Sequence, residues 1–167
     1  MGKRENIFGV CFTKIRELIN IVIVILFGVQ VIVVFSTVVS RYVFNNPFTW
    51  SEELARYIQV WMILLASIIA VRKDAHLSTD YLVYKLNFRW RKALKIVSNL
   101  VVMFFLSIVT IYGWKLVLTL FRFGQTSPAL LIPMYLIYLA LPVSGLLMFL
   151  EALIRLLGLI RLENDSN

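Results

Sequence analysis

The 167-residue chain has one cysteine, Cys11, and one histidine, His76. A single thiol excludes an internal disulfide framework and a dithiol redox pair. A single imidazole excludes haem held by two histidines of one subunit. A protein-only zinc site needs three or four ligands at short spacing, and nothing in the chain supplies them. No glycine-rich phosphate loop and no nucleophile elbow occur. Charge is also scarce, at 16% of residues against about 25% in an ordinary soluble domain. These shortages remove most membrane enzymes, so no catalytic residue, cofactor or metal is expected in this chain. His76 is read as a hydrogen-bonding partner of a backbone carbonyl or Asp80.

The chain is rich in apolar runs, and 60% of it is hydrophobic. Glu17 and Arg41 enclose 23 uncharged residues, and Lys95 and Lys115 enclose 19. About 20 residues of helix cross the roughly 30 Å hydrocarbon core. Tyr57–Val71 is shorter, at 15 residues, but Leu54, Ala55 and a snorkelling Arg56 extend it. Phe123–Leu150 holds 28 uncharged residues, interrupted by Pro128, Pro133 and Pro142. The expectation is an all-α integral membrane protein with four spans near residues 17–40, 52–72, 94–118 and 133–157, in a single membrane domain. The first run is too long for a cleavable signal and lacks a small-residue cleavage site, so it is expected to persist as a helix.

Lys and Arg set the expected orientation. Thirteen of the 17 lie in the N-terminal segment, the second connection and the C-terminal tail, and four lie in the first and third connections. The positive-inside bias then puts both termini in the cytoplasm and the first connection on the opposite face. The net charge of +8 reports this asymmetry and not a nucleic-acid surface.

The first connection, RYVFNNPFTWSEELAR from Arg41 to Arg56, holds charge beside the membrane, where charge is costly and usually partnered. Pro47 keeps Asn46 extended, and Thr49-Trp50-Ser51-Glu52 has the capping-box spacing. A helix starting near Trp50 puts Arg56 four residues after Glu52 and three after Glu53, within ion-pair reach of either. Both carboxylates also suit the positive end of the helix dipole. Trp50, Tyr57 and Trp61 fit an interfacial aromatic belt.

In the second connection Leu82, Leu86 and Trp90 recur every four residues, with Lys85, Arg89, Arg91 and Lys92 nearby. This pattern predicts an amphipathic helix near residues 78–92 on the lipid surface, its cations meeting anionic headgroups. An outward extension of the third span accommodates Arg89–Lys95 as well. In the third connection Gly124 and Pro128 stop the incoming helix, and Pro133 starts the next at its first turn. Pro142 then kinks the fourth span. Ala129–Ile132 are placed at the membrane surface or against a partner. Gln30, Ser36, Thr37, Gln59 and Asn99 are candidate interhelical polar contacts.

RYVFNNPFTWSEELARYIQVW, AVRKDAHLSTDYL and GQTSPALLIPMYLIYLALPVSGLLM together resemble the small membrane subunit of the tripartite ATP-independent periplasmic (TRAP) transporters. The likeness runs from about Arg41 to Met148. It rests most on Trp50–Glu53 with Arg56 and Trp61, then on Arg72, His76 and Asp80, and on Gly124, Pro128, Pro133, Tyr138 and Pro142. Relatives often carry glycine among the small residues before the second-block arginine, where this chain has Ser67 and Ala70. The resemblance implies a subunit of the bacterial or archaeal cytoplasmic membrane that does not itself carry substrate. Such a subunit packs on a large elevator-type membrane subunit, which holds the sodium ions and an organic acid. A periplasmic binding protein delivers that acid. Arg41, Trp50, Ser51, Glu52, Glu53, Arg56, Trp61, Gln125, Pro128 and Pro133 are then candidate interface or structural residues. Lys85, Arg89, Trp90, Arg91 and Lys92 are candidate membrane anchors.

Two other readings stand beside it. A stand-alone oligomeric channel or exporter would line its path with Glu52, Glu53 and Arg56, but coupled transport places binding groups near the midplane. A membrane enzyme using Glu52 and Glu53 as acid and base is disfavoured, because adjacent helical residues point about 100° apart.

Overall fold

The computed structural model describes residues 2–46, 48–73 and 88–164. Its helices are α1 (Gly2–Tyr42), α2 (Thr49–Lys73), α3 (Phe88–Phe123), α4 (Met134–Tyr138) and α5 (Ala140–Asn164). Among the described residues the only extended pairing is an isolated bridge between Thr126 and Pro133. Four helical stretches are long and apolar enough to cross a membrane: Thr13–Tyr42, Thr49–Val71, Ala93–Phe123 and Met134–Gly158. The all-helical, four-span expectation therefore stands.

The helices overrun the expected spans, and the reason is physical. Apolar windows mark what lipid tolerates, whereas a hydrogen-bonded helix continues until a breaker stops it. The 41 residues of α1 extend for about 62 Å, roughly twice the hydrocarbon thickness. Helix α3 begins at Phe88, which makes Arg89, Trp90, Arg91 and Lys92 part of the third-span helix. The remainder of the expected surface helix, with Lys85, His76 and Asp80, lies outside the described residues.

The chain forms two compact units, one of Met1–Ala66 with Ser127–Leu131 and one of Ser67–Thr126 with Ile132–Asn167. In the second unit α3 and α5 run antiparallel. Asn99 Nδ2 donates to the Ala152 carbonyl at 2.9 Å. Further along, Gly145 lies against Thr110 and Gly113 against Leu141 and Pro142. Near the far end of α3 the Phe121 and Tyr135 rings meet edge to face, with centroids 5.3 Å apart. Both glycines sit at close approaches, Gly145 to the Thr110 side chain and Gly113 to Leu141 and Pro142. A methyl group on Gly145 would lie 2.7 Å from Thr110 Oγ1. That hydroxyl is fixed, because it donates to the Leu106 carbonyl at 2.8 Å.

The fourth span is interrupted earlier than Pro142. Proline lacks the N–H that would bond the Tyr138 carbonyl four residues back, and its ring crowds that carbonyl. The helix accordingly stops at Tyr138 and resumes at Ala140. Leu139 keeps a right-handed helical conformation, and its N–H reaches the Tyr135 carbonyl at 2.9 Å. Pro133 is the N-cap of α4 and not its first helical residue as expected.

Candidate functional site

The first connection is short because α1 ends in a tightly bonded reversal. Asn45 takes a left-handed conformation with φ 51°, which its short polar side chain tolerates. The Asn46 N–H returns to the Ser40 carbonyl at 3.3 Å, and the Ser40 hydroxyl donates to the Asn46 carbonyl at 2.5 Å. Ser40 is buried, so both polar groups of the exchange are satisfied. On the other side of the turn Ser51, also buried, donates both its N–H and its hydroxyl to the Phe48 carbonyl. Phe48 and Trp50 stack with centroids 5.7 Å apart.

This reversal brings Arg41, at the end of α1, to Glu52, in the first turn of α2. Arg41 Nη2 donates to Glu52 Oε1 at 2.5 Å. Both side chains stay more than half exposed, at 53% and 60%. Glu53 is turned elsewhere. Its Oε1 accepts the Tyr57 hydroxyl at 2.5 Å, and its Oε2 accepts the N–H groups of Ala129 and Leu130, both at 2.9 Å. Ser127 is fully buried beside Glu53 and Tyr57.

The segment Glu53 holds is shaped to receive it. Pro128–Leu130 form a turn, and the Leu131 N–H bonds the Ser127 carbonyl at 3.2 Å. Leu131 is left-handed, with φ 55°, and 71% exposed. That conformation costs a residue with a Cβ about 1–2 kcal/mol. Two backbone N–H groups converging on one carboxylate oxygen oppose that cost. At the ends of the connection, Gly124 (φ 60°) closes α3, and the Gln125 carbonyl accepts the Met134 N–H at 2.9 Å.

Two sequence expectations need correcting. Arg56 is exposed and, among the described residues, joins no ion pair with Glu52 or Glu53, because each carboxylate has a partner that local helix spacing did not reveal. No capping box forms either: Glu52 reaches Arg41, and the Phe48 carbonyl takes both Ser51 donors. The other candidates fall in ordinary places. Trp50, Gln125 and Pro128 are exposed, whereas Trp61 and Pro133 are half-buried.

The geometry is that of a bracing site, with charge used to hold backbone. The DctQ component family of the tripartite ATP-independent periplasmic transporters matches residues 30–162. The chain belongs to the DctQ family. A TRAP transporter small permease protein of Haemophilus influenzae is 29% identical over 153 residues, covering 89% of this chain and 90% of the relative. The C4-dicarboxylate small permease protein DctQ of Rhodobacter capsulatus is 31% identical over 99 residues, covering 59% of this chain and 44% of the relative. The isethionate TRAP permease protein DctMQ of Oleidesulfovibrio alaskensis is 33% identical over 116 residues, covering 68% of this chain but only 18% of that protein.

As a DctQ-family chain the molecule is a multi-pass membrane transporter component, and the family's pairing with larger permease proteins supports a large membrane partner. Sequence reading passed over Glu151. It is 6% exposed in α5, inside the span Met134–Gly158 and next to the fully buried Ala152. Its signal was position: an acidic residue seven short of the end of an apolar helix, where a surface charge would lie nearer the end. Asn99, a candidate interhelical contact, is buried and makes that contact within the chain, to the Ala152 carbonyl.

Proposed function

We propose that this chain is the small permease subunit of a sodium-coupled, binding-protein-dependent importer of an organic acid. In this role it packs on a larger elevator-type membrane subunit and enlarges the static scaffold against which that subunit moves. Sodium ions and substrate are held by the partner. The outer-end surface, with exposed Tyr42, Phe44, Trp50, Arg56 and Leu131, helps to seat a periplasmic binding protein. The chain resides in a bacterial or archaeal cytoplasmic membrane, with both termini inside.

One observation carries the reading: Glu53 accepts the Tyr57 hydroxyl and the Ala129 and Leu130 N–H groups, so its carboxylate shapes a segment of this chain. A scaffold must hold its depth and its outline while its partner slides, and bonds of this kind serve that purpose. The span in α1 is only 6% buried within the chain, which leaves most of its apolar surface for lipid or another subunit. Lipid gives little hydrophobic drive to helix association, so close packing and polar contacts must join the subunits. The long DctMQ relative, in which a region like this chain is a minor part, supports a large partner in the same membrane. Relatives named for isethionate and C4-dicarboxylate support an organic anion as cargo.

The test is co-expression with a large TRAP permease subunit from the same organism. Wild-type chain is expected to co-purify with it, to be inactive alone in proteoliposomes, and to restore sodium-dependent uptake only with both partners present. Uptake by this chain without the large permease would overturn the proposal.

A further inference from the structure

Within the first unit, α1 and α2 flank a cleft that the bracing role does not use. Its polar end, of about 260 Å³, is lined by Val34, Val38, Tyr42 and Ala55 together with Arg41 and Glu52. A second, largely apolar space of about 420 Å³ shares Val34 and Val38 with it and continues to Phe27, Val31, Phe35 and Met62, with the Gln30 amide also in its lining. The track along α1 from Arg41 to Phe27 covers about 21 Å. One leaflet's hydrocarbon is roughly 15 Å deep. A single acyl chain lying along the helix fits this length.

The polar end selects the kind of headgroup. Arg41 commits Nη2 to Glu52, but a guanidinium carries five N–H donors, and Glu52 has a second carboxylate oxygen. Both side chains remain more than half exposed, so these unused groups are open. Arginine N–H groups bind phosphate oxygens, and a carboxylate binds an ammonium. The two residues present opposite charges side by side with no net charge. A headgroup carrying a phosphate and an ammonium matches both, whereas a purely anionic headgroup meets Arg41 but is repelled by Glu52.

We propose that the α1–α2 cleft binds one phosphatidylethanolamine-type lipid, its phosphate on Arg41, its ammonium on Glu52, and an acyl chain running from Val38 towards Phe27. The site does not depend on the scaffold reading. It would tie the first unit to the bilayer at a fixed depth, through a lipid held by name and not by bulk solvation.

The test is native mass spectrometry of the delipidated full chain with equimolar phosphatidylethanolamine and phosphatidylglycerol of identical acyl chains. The expected result is one tightly retained lipid, with phosphatidylethanolamine favoured over phosphatidylglycerol by about two- to fivefold, the range of an exposed ion pair. Glu52→Gln should abolish that preference while one lipid is still retained. Val34→Trp should fill the track and remove the retained lipid, with circular dichroism showing unchanged helix content. The swapped pair Arg41→Glu with Glu52→Arg should keep the preference, and its loss there would overturn the proposal even if Val34→Trp proves unstable. Unchanged selectivity in Glu52→Gln, or an unchanged retained lipid in a folded Val34→Trp, overturns the proposal. So does loss of the lipid when the chain is co-purified with a large permease, since the cleft is then a protein seat.

Discussion

Glu53 and Leu130 are 77 residues apart in the chain, yet the Leu130 N–H lies 2.9 Å from Glu53 Oε2. The neighbouring Ala129 N–H shares the same oxygen. A carboxylate near the start of α2 thus fixes the backbone of a turn that carries an exposed, left-handed Leu131. Replacing Glu53 with Gln removes the charge from all three bonds, and the Tyr57 hydroxyl must turn from donor to acceptor if the amide oxygen is to stay on the two N–H groups. Amide exchange at Ala129 and Leu130 should accelerate in Glu53→Gln, whereas exchange around Asn99 and Ala152 should not. Unchanged protection at Ala129 and Leu130 would show that the turn holds itself.

Leu131 gives a separable outcome. Glycine adopts its conformation freely, so Leu131→Gly should leave thermal stability equal or raise it by up to about 1 kcal/mol, after the added freedom of the unfolded chain is counted. If the exposed side chain seats a partner, the same substitution should weaken co-purification or uptake. A loss of stability in Leu131→Gly would mean that the side chain packs within the chain.

The Arg41–Glu52 pair should contribute little to folding. Exposed pairs are worth about 0.2–1 kcal/mol, and both of these side chains are more than half exposed. A double-mutant cycle of Arg41→Ala and Glu52→Ala, read by thermal unfolding in detergent, should give a coupling within that range and smaller at high salt.

At the α3–α5 seam, Gly145→Ala should be markedly destabilising, by about 1–3 kcal/mol, because its methyl group meets Thr110 Oγ1 at 2.7 Å. Thr110→Ala in the same chain should recover most of the loss by removing the obstructing hydroxyl. Gly28→Ala, where nothing lies within 4 Å, should be neutral or mildly stabilising.

Asn99→Leu should cost less. Interhelical hydrogen bonds in membrane proteins average about 0.6 kcal/mol, with a maximum near 1.7. The Ala152 carbonyl lies in mid-helix, where it keeps its own helical acceptor role. A shift in thermal midpoint larger than that of Gly145→Ala would mean that Asn99 supports more than this one bond.

Much of the molecule could be read from residue types alone. The apolar windows fixed the number and order of the spans, since hydrocarbon admits little but uncharged helix over that length. The Trp50–Glu53 block with Arg56 pointed to the family, and the residues it named do lie at the charged turn. Local spacing then failed at three points. It paired Arg56 with a neighbour on its own helix, made Glu52 a cap, and put the break of the last span at Pro142. The first two share a reason, since short-range rules compare only partners a few residues away, whereas the third is itself local, Pro142 acting on the Tyr138 carbonyl four residues back. Arg41 reaches Glu52 only after the Ser40–Asn46 reversal has formed. The Ala129 and Leu130 N–H groups face Glu53 only once the turn at Ser127–Leu131 lies beside α2. Likewise Gly145 is an ordinary small residue until Thr110 occupies the space beside it. Composition and patterning were sufficient for membrane class and span order, because one residue at a time decides what lipid tolerates, whereas the family was legible only through the resemblance of its motif blocks. Which carboxylate holds which backbone was decided by tertiary structure, because a hydrogen bond depends on two groups meeting within about 3 Å, and chain distance says nothing of that.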